Sequence, residues 1–359
     1  MDQKNPFIKN LALLGSFLGQ FPDKSRNDTG ELASLNKVFY QSFSEILERE
    51  PILNPWFTPA WLDHALRGIS LMLEEKVLLK WLGAYGGIPI RATQQKTIGL
   101  VLAGNIPLVG FHDILSVLAS GHRVQAKTSS KDDRLIREVA AIIGSLDADL
   151  GERISFTDDH LTGMDAVIAT GSNNSSRYFE YYFREIPHII RKNRNGVAVL
   201  TGNETERELM ALGEDIFTYF GMGCRNITKL FIPEAYDLKV LLGVLDNYMD
   251  LTQHNKYTNN VDYYRSIYLL NRLEFLDNHV TLVKEDPGIA SPVGVVFYER
   301  YSEIGRVLQV LDEKKDEIQC IVSLHPEVQN RLKPGKTQEP MPWDYADGVD
   351  TLKFLIELK

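Results

Sequence analysis

The sequence predicts an α/β protein built from two doubly wound parallel-sheet domains with a helical N-terminal region. Three observations lead to that class. From residue 95 onward, short apolar runs that read as strands buried on both faces alternate with helical patterns, as in successive strand–helix–strand units. The first 94 residues carry only helical spacings of their apolar side chains. The chain has 359 residues, 44% of them hydrophobic, which is enough apolar material for more than one core.

Residues 1–94 form the helical region. Ile8, Leu11, Leu14, Leu18 and Phe21 fall on one face of an amphipathic helix. The apolar stretch after Lys4 and Lys9 lacks a small-residue cleavage site, so a helix is preferred to a signal peptide. Residues 35–47 and 62–82 have the spacings of packed helices, and residues 51–59, rich in proline, join them. Trp56 and Phe57 in that connection read as core anchors.

Residues 95–200 form the first sheet domain. Strands are expected at 97–102, 124–127, 166–170 and 196–200. Ala103-Gly104-Asn105-Ile106-Pro107 follows the first strand, and Pro107 suits the opening position of the next helix, which Gly121 closes. Thr128-Ser129-Ser130 turns the chain from the second strand into a helix over 132–146. Ligands in such sheets bind beyond the carboxyl ends of the strands, the rim where Asn105, Lys127, Gly171 and Ser172 fall.

Residues 201–335 form the second domain. Thr205 and Glu208 make a capping box for a helix whose apolar face is Leu209, Leu212 and Ile216. Strands are expected at 229–232, 280–283, 295–298 and 318–322, and helices at 235–250, 261–276 and 304–311. Residues 336–359 are a return segment. Its turn-forming run 340–350 leads into 352–358, read as a terminal strand that pairs elsewhere in the fold or with another subunit, so a homo-oligomer is possible.

Composition excludes some functions. A net charge of -9, with lysines and arginines dispersed, argues against nucleic acid and against an anionic membrane surface. No apolar run is long enough to span a bilayer. A cytoplasmic protein with reduced thiols is expected. Neither a G-x-G-x-x-G fingerprint, a P-loop nor H-E-x-x-H occurs, and no His, Cys or Asp cluster has metal-ligand spacing. His112 and His188 read as hydrogen-bonded structural histidines.

Chemistry is carried by Gly221-Met222-Gly223-Cys224-Arg225-Asn226. Cys224 is one of only 2 cysteines. Glycines before it allow close backbone approach, and Arg225 after it favours the thiolate, the nucleophilic form. Cys320 sits among apolar neighbours in an expected strand and reads as core.

The order of these pieces resembles the aldehyde dehydrogenase superfamily: Asn-x-Pro after a buried strand, Lys127 ending the next, Gly171-Ser172 after a later one, and Gly-x-Gly-Cys behind a helix. Residues 219–226, with Trp343-Asp344 and Asp347-Gly348-Val349-Asp350, resemble the LuxC-type acyl-CoA reductases. The resemblance covers residues 80–355 and implies an aldehyde dehydrogenase-like fold with cofactor and catalytic domains. It implies that Cys224 takes the acyl group of an acyl-CoA, that Asn105 and the Cys224 amide hold the oxyanion, and that Lys127 binds the cofactor ribose. Gly171 and Ser172 would lie beside the pyrophosphate.

Departures from the pattern refine this. The acid that activates water in hydrolytic relatives is replaced by Arg191-Lys192-Asn193-Arg194-Asn195, which points to reduction of an acyl-enzyme rather than hydrolysis. An acidic residue that grips the nicotinamide ribose is missing at Pro287-Gly288-Ile289-Ala290. Ser130, followed by Lys131, stands where NAD-preferring relatives carry Glu, so NADPH is expected to be accepted as well as NADH, with no metal. The expected activity is reduction of a long-chain acyl-CoA to a fatty aldehyde. Two alternatives stand beside it: reduction of an acyl phosphate with Arg225 as anion site, and a non-catalytic or subunit role with a degenerate cofactor site.

Overall fold

The computed structural model describes residues 5–86 and 94–358; the 87–93 stretch that closes the expected N-terminal region lies outside them. The chain divides into two compact units, Met1–Lys192 with Pro340–Lys359, and Asn193–Glu339.

The first unit begins with five helices: α1 (Pro6–Gly19), α2 (Gly30–Leu35), α3 (Gln41–Leu53), α4 (Pro59–Met72) and α5 (Glu75–Gly83). Asn5 caps α1 and Thr58 caps α4, each with proline at the start of the helix. The continuous helical pattern over 62–82 is in fact two helices, because Glu74 adopts an extended backbone (φ -57, ψ 135). Phe57 is fully buried, the anchor its sequence context suggested.

The first sheet is wholly parallel. It comprises β1 (Thr97–Val101), α6 (Phe111–Ala119), β2 (Arg123–Lys127), α7 (Arg134–Leu146), α8 (Ala148–Glu152), β3 (Ile154–Phe156), β4 (Ala166–Thr170), α9 (Asn173–Tyr182) and β5 (His188–Arg191). Strand order is β3-β2-β1-β4-β5, so the chain winds outward from β1 in both directions. One core joins its strands to the N-terminal helices: Leu100, Val124 and Ile168 are buried in the same cluster as Leu14, Phe17 and Leu66.

Two readings are corrected here. α6 begins at Phe111 with Gly110 as its cap, so Pro107 does not open it. The reason lies at Leu108, whose φ of +56° is incompatible with a right-handed helix. The boundary at 200 also moves. The strand at 196–200 belongs to the second sheet, and the fifth strand of the first is β5, whose polar ends, exposed His188 and buried Arg191, hid it from an apolar-run criterion.

The second unit runs β6 (Asn195–Val199), α10 (Glu206–Phe217), β7 (Ile227–Pro233), α11 (Leu238–Leu245), α12 (Asn255–Leu270), β8 (Leu276–Asp277), β9 (Leu282–Glu285), β10 (Val295–Tyr301), α13 (Ile304–Glu313) and β11 (Ile318–Ser323). Its sheet has the order β11-β6-β7-β10-β9-β8, parallel except for β8 against β9. Thr205 and Glu208 form the expected capping box on α10.

The C-terminal segment returns to the first unit, and its last element is a helix, α14 (Thr351–Ile356), not the expected strand. Asp350 caps it by accepting from the Lys353 amide at 2.8 Å. Leu352 and Leu355 are three apart and both fully buried, a helical spacing that six residues are too few to distinguish from alternation. Upstream, the Trp81 indole N–H donates to the Tyr345 hydroxyl at 2.7 Å, and Lys80 stands 3.9 Å above the Trp343 ring.

Candidate active site

In the second unit, α10 ends at Phe217 and the chain then does something L-residues rarely do. Tyr219, Phe220 and Gly221 are successively left-handed, with φ of 54°, 58° and 74°. Two non-glycine residues in that region carry strain of about 1–3 kcal/mol each, which the surroundings must offset. Asn226, fully buried, does so. Its carbonyl oxygen accepts from the Gly223 amide at 2.7 Å, and its Nδ2 donates to the carbonyls of Asp215, Ile216 and Thr218 at 3.1, 3.3 and 2.9 Å. The turn is thereby fixed around an exposed thiol, Cys224.

A second set of bonds braces the same turn. Buried Asp215 accepts from the amides of Gly335 and Thr337 at 2.7 and 3.0 Å and from the Thr337 hydroxyl at 2.8 Å. Burial holds its carboxyl above the usual range, and those three donors oppose the rise. Arg225 Nε donates to the Thr337 carbonyl at 2.6 Å. That nitrogen is thus engaged by backbone, which weakens the expectation that Arg225 serves as an anion site. Gly196 of β6 completes the packing. A Cβ there would lie 2.8 Å from the Arg225 carbonyl oxygen and 2.9 Å from that of Asn226. Cys320 donates to the Arg225 carbonyl at 3.5 Å, and burial pushes its thiol up to about 12, which fits its reading as core.

The first unit gathers the other candidates on the rim at the carboxyl ends of β2, β1 and β4. Asn105 is exposed in the loop after β1, and Lys127 ends β2. The loop and strand end are joined where the Leu102 amide donates to the Lys127 carbonyl at 3.0 Å. Because Gly110 caps α6, Asn105 is not the N-cap of that helix, which removes the plainest structural role for it. Ser130 is exposed in the turn after β2, beside exposed Lys131. Gly171 follows β4, and a Cβ on it would lie 2.8 Å from the Phe179 ring. Ser172 is the N-cap of α9, its Oγ accepting from the Ser175 amide at 3.2 Å.

A dinucleotide fits this donor set. The strand order reverses between β1 and β4, which makes the loops after them the switch point where such sheets bind ligands. The amides opening α9 offer a pyrophosphate a favourable helix terminus, and Lys127 offers a charge at the adjoining strand end. Among the described residues, no three of His, Cys, Asp and Glu come together as a metal would require.

The positions where acids are missing are otherwise occupied. Arg191 forms a buried, two-pronged ion pair with Asp113 at 2.6 and 2.7 Å and donates to the Thr351 hydroxyl at 3.0 Å. Near Gly288, Asp286 accepts from the Gly288 amide at 2.9 Å and from Lys284 at 2.6 Å. His112 is bonded to the Pro342 carbonyl at 2.9 Å, and burial lowers its pKa; His188 is bonded to the Ile186 carbonyl at 2.8 Å. Asn226 and Asp215 were not singled out from sequence. The one available signal was a polar residue closing the glycine-rich stretch, which does not distinguish burial from exposure.

Comparison with known proteins sharpens the fold. No family model matches the chain, and no curated protein matches it in sequence. Solved structures do match. Indole-3-acetaldehyde dehydrogenase AldA from P. syringae, solved with NAD+ and IAA, superposes with a TM-score of 0.62 at 11% identity over 91% of this chain and 73% of that one. An aldehyde dehydrogenase from Mycobacterium tuberculosis, complexed with NAD+, gives 0.60 at 12% identity over 90% and 74%. The NAD+ complex of an aldehyde dehydrogenase from Bacillus cereus gives 0.60 at 11% over 92% and 73%. The chain therefore has the aldehyde dehydrogenase fold: two sheet units of the dinucleotide-binding kind with N-terminal helices.

Proposed function

We propose that the protein is an oxidoreductase that reduces an acyl-CoA to its aldehyde with NADPH or NADH, through a thioester on Cys224. The observation that carries this reading is the exposed Cys224 thiol on a left-handed turn fixed by buried Asn226. An inert cysteine has no need of such a turn, and strain of this kind concentrates at functional sites. That several solved structures of the same fold contain NAD+ supports a nicotinamide dinucleotide as the cofactor.

In the proposed chemistry the Cys224 thiolate attacks the thioester carbon. A C–S bond forms, and the carbonyl oxygen takes the electron pair as an oxyanion. The resemblance to aldehyde dehydrogenases implies that the side-chain amide of Asn105 and the backbone amide of Cys224 would donate to that oxyanion. Collapse expels the thiolate of coenzyme A and leaves the acyl group on Cys224. Lys127, Ser130 and the Gly171-Ser172 turn would hold a reduced nicotinamide dinucleotide, which would supply a hydride for the thioester carbon. Expulsion of Cys224 from the resulting hemithioacetal, with loss of its hydroxyl proton, frees the aldehyde. The 191–195 segment carries no carboxylate to activate water, which favours an acyl-enzyme that waits for reduction.

Intact-mass measurement after incubation with a long-chain acyl-CoA tests this directly. The acyl mass should appear on Cys224, vanish when NADPH is added, and be absent in C224A. No adduct in the wild type refutes the reading. N105A should slow acylation by ~10²–10³ while leaving iodoacetamide alkylation of Cys224 unchanged. Faster NADPH consumption with an acyl phosphate than with the acyl-CoA would favour the acyl-phosphate reading instead. Absence of nicotinamide binding by calorimetry would favour a non-catalytic role.

A further inference from the structure

The loop that carries Asn105 is gripped at both ends by one turn. At its start, Gly104 packs so closely on Ser129 that a Cβ at Gly104 would lie 2.5 Å from Ser129 Cβ. At its end, the Leu108 amide donates to Asp132 Oδ2 at 2.6 Å, with Leu108 held at φ +56°. Ser129 and Asp132 close the turn itself, the Asp132 amide donating to the Ser129 carbonyl at 3.0 Å. From behind, Asn54 at the end of α3 donates to the Lys131 carbonyl at 3.2 Å. Asn105 thus stands between two anchor points, and the turn that supplies both also carries Ser130.

Asp132 is a costly residue to place there. It is 4% exposed, and its second oxygen, Oδ1, has no hydrogen-bond partner. A buried carboxyl with one oxygen unsatisfied opposes folding, so packing alone does not account for it. The one hydrogen bond of its carboxyl goes to the residue whose left-handed backbone shapes the Asn105 loop, where a simple apolar side chain could not replace it.

We propose that Asp132 is the positioning residue for Asn105, fixing the oxyanion-binding loop through Leu108 and tying it to the cofactor turn at Ser130. The proposal rests on the acyl-CoA reductase reading for its kinetic consequence, but its structural part does not. Removing the acceptor frees the Leu108 amide, lets Leu108 relax toward a right-handed backbone, and lets Asn105 drift from its place. A displacement of an ångström at a catalytic donor is enough to cost on the order of 10²-fold in rate.

The experiment compares wild type, D132A, D132N, N105A and the D132A/N105A double variant in two measurements. Hydrogen exchange at residues 103–110 reads the loop directly and needs no activity. D132A should speed exchange there while residues 113–119 of α6 keep their protection, and D132N, which keeps an acceptor oxygen, should stay near wild type. Stopped-flow release of coenzyme A from an acyl-CoA reads acylation. D132A should slow it about 10- to 100-fold with iodoacetamide alkylation of Cys224 unchanged, and the double variant should be no slower than N105A. Unchanged exchange at 103–110 in D132A overturns the proposal. So does additivity of the D132A and N105A losses, which would mean that Asp132 acts by another route. If D132A does not fold, D132S takes its place, with a hydroxyl too short to reach the same amide. Wild type that releases no coenzyme A refutes the reductase reading alone, and exchange then decides on Asp132.

Discussion

The Asn226 side chain makes four hydrogen bonds from a site with no solvent, and every one of them ends on backbone of the Cys224 turn or the end of α10. Truncation would leave the Gly223 amide and three carbonyls without that partner, each a buried polar group. We expect N226A to lose ~2–4 kcal/mol, read as a lower midpoint in urea unfolding, and to change the rate of Cys224 alkylation because the left-handed run is no longer braced. A midpoint within error of wild type would show that the turn holds itself. Asp132 yields a residue-level prediction in pH. Burial raises its carboxyl to about 7, helped by the charges of Glu50 on α3 and Asp133 on its own turn, and opposed by the Leu108 amide. Arg134 also stands on that side, paired with Glu50 at 2.8 Å. The folded state therefore binds a proton that the unfolded chain has released. Stability falls as pH rises from about 4, the unfolded value, through about 7, and is level above it. D132N lacks this titration. Its stability relative to wild type should climb by a few kcal/mol between pH 4 and 8, measured by urea unfolding, and a difference independent of pH would contradict the assignment.

At the scale of elements, what the sequence made legible depended on whether an element was specified by its own residues. β1 and β4 are mostly apolar because neighbours cover both faces, β7 has an apolar run after Lys229, which is buried and paired with Glu299 at 2.6 Å, and α10 announces itself with its capping box; all were readable. β5 was not, since its end carries Arg191, which is buried only because Asp113 lies opposite it. The start of α6 was not, since Leu108 is set by a carboxylate 24 residues further along the chain. α14 was misread because six residues are too few to show a period. Cys224 and Asn105 were legible as motifs, but Asn226, Asp215 and Asp132, which hold them, are defined by burial that only the fold creates. The Arg191–Asp113 pair gives the prediction at this scale. It joins β5, α6 and, through Thr351, α14. D113A leaves a guanidinium buried without its counter-charge and should lose ~3–5 kcal/mol. The joint replacement of Asp113 and Arg191 by apolar residues of similar volume should recover most of that, and failure to recover would mean that the pair is needed for more than charge balance.

For the whole molecule, the two units share a strand-and-helix plan but carry different sets of groups. The first unit has the switch-point rim with Lys127, Ser130 and the α9 terminus, while the second has the fixed thiol. Cofactor binding should therefore stabilise the molecule through the first unit. At a concentration of ~100 times Kd, NADPH is expected to add about 2.7 kcal/mol to unfolding, and its exchange protection should fall on residues 102–106, 127–131 and 171–176. In the proposed reading, Ser130 sets which dinucleotide does this better. A carboxylate at that exposed position, beside Lys131, would face the 2′-phosphate of NADPH at short range. In partly exposed surroundings such a repulsion is about 1–4 kcal/mol, whereas the 2′-hydroxyl of NADH would donate a hydrogen bond to the same carboxylate. S130E should therefore weaken NADPH by about 5- to 700-fold relative to NADH, read as the ratio of the two calorimetric Kd values. An unchanged ratio would place the 2′-phosphate away from the 128–132 turn, and with it the idea that one turn serves both cofactor choice and the Asn105 loop would fall.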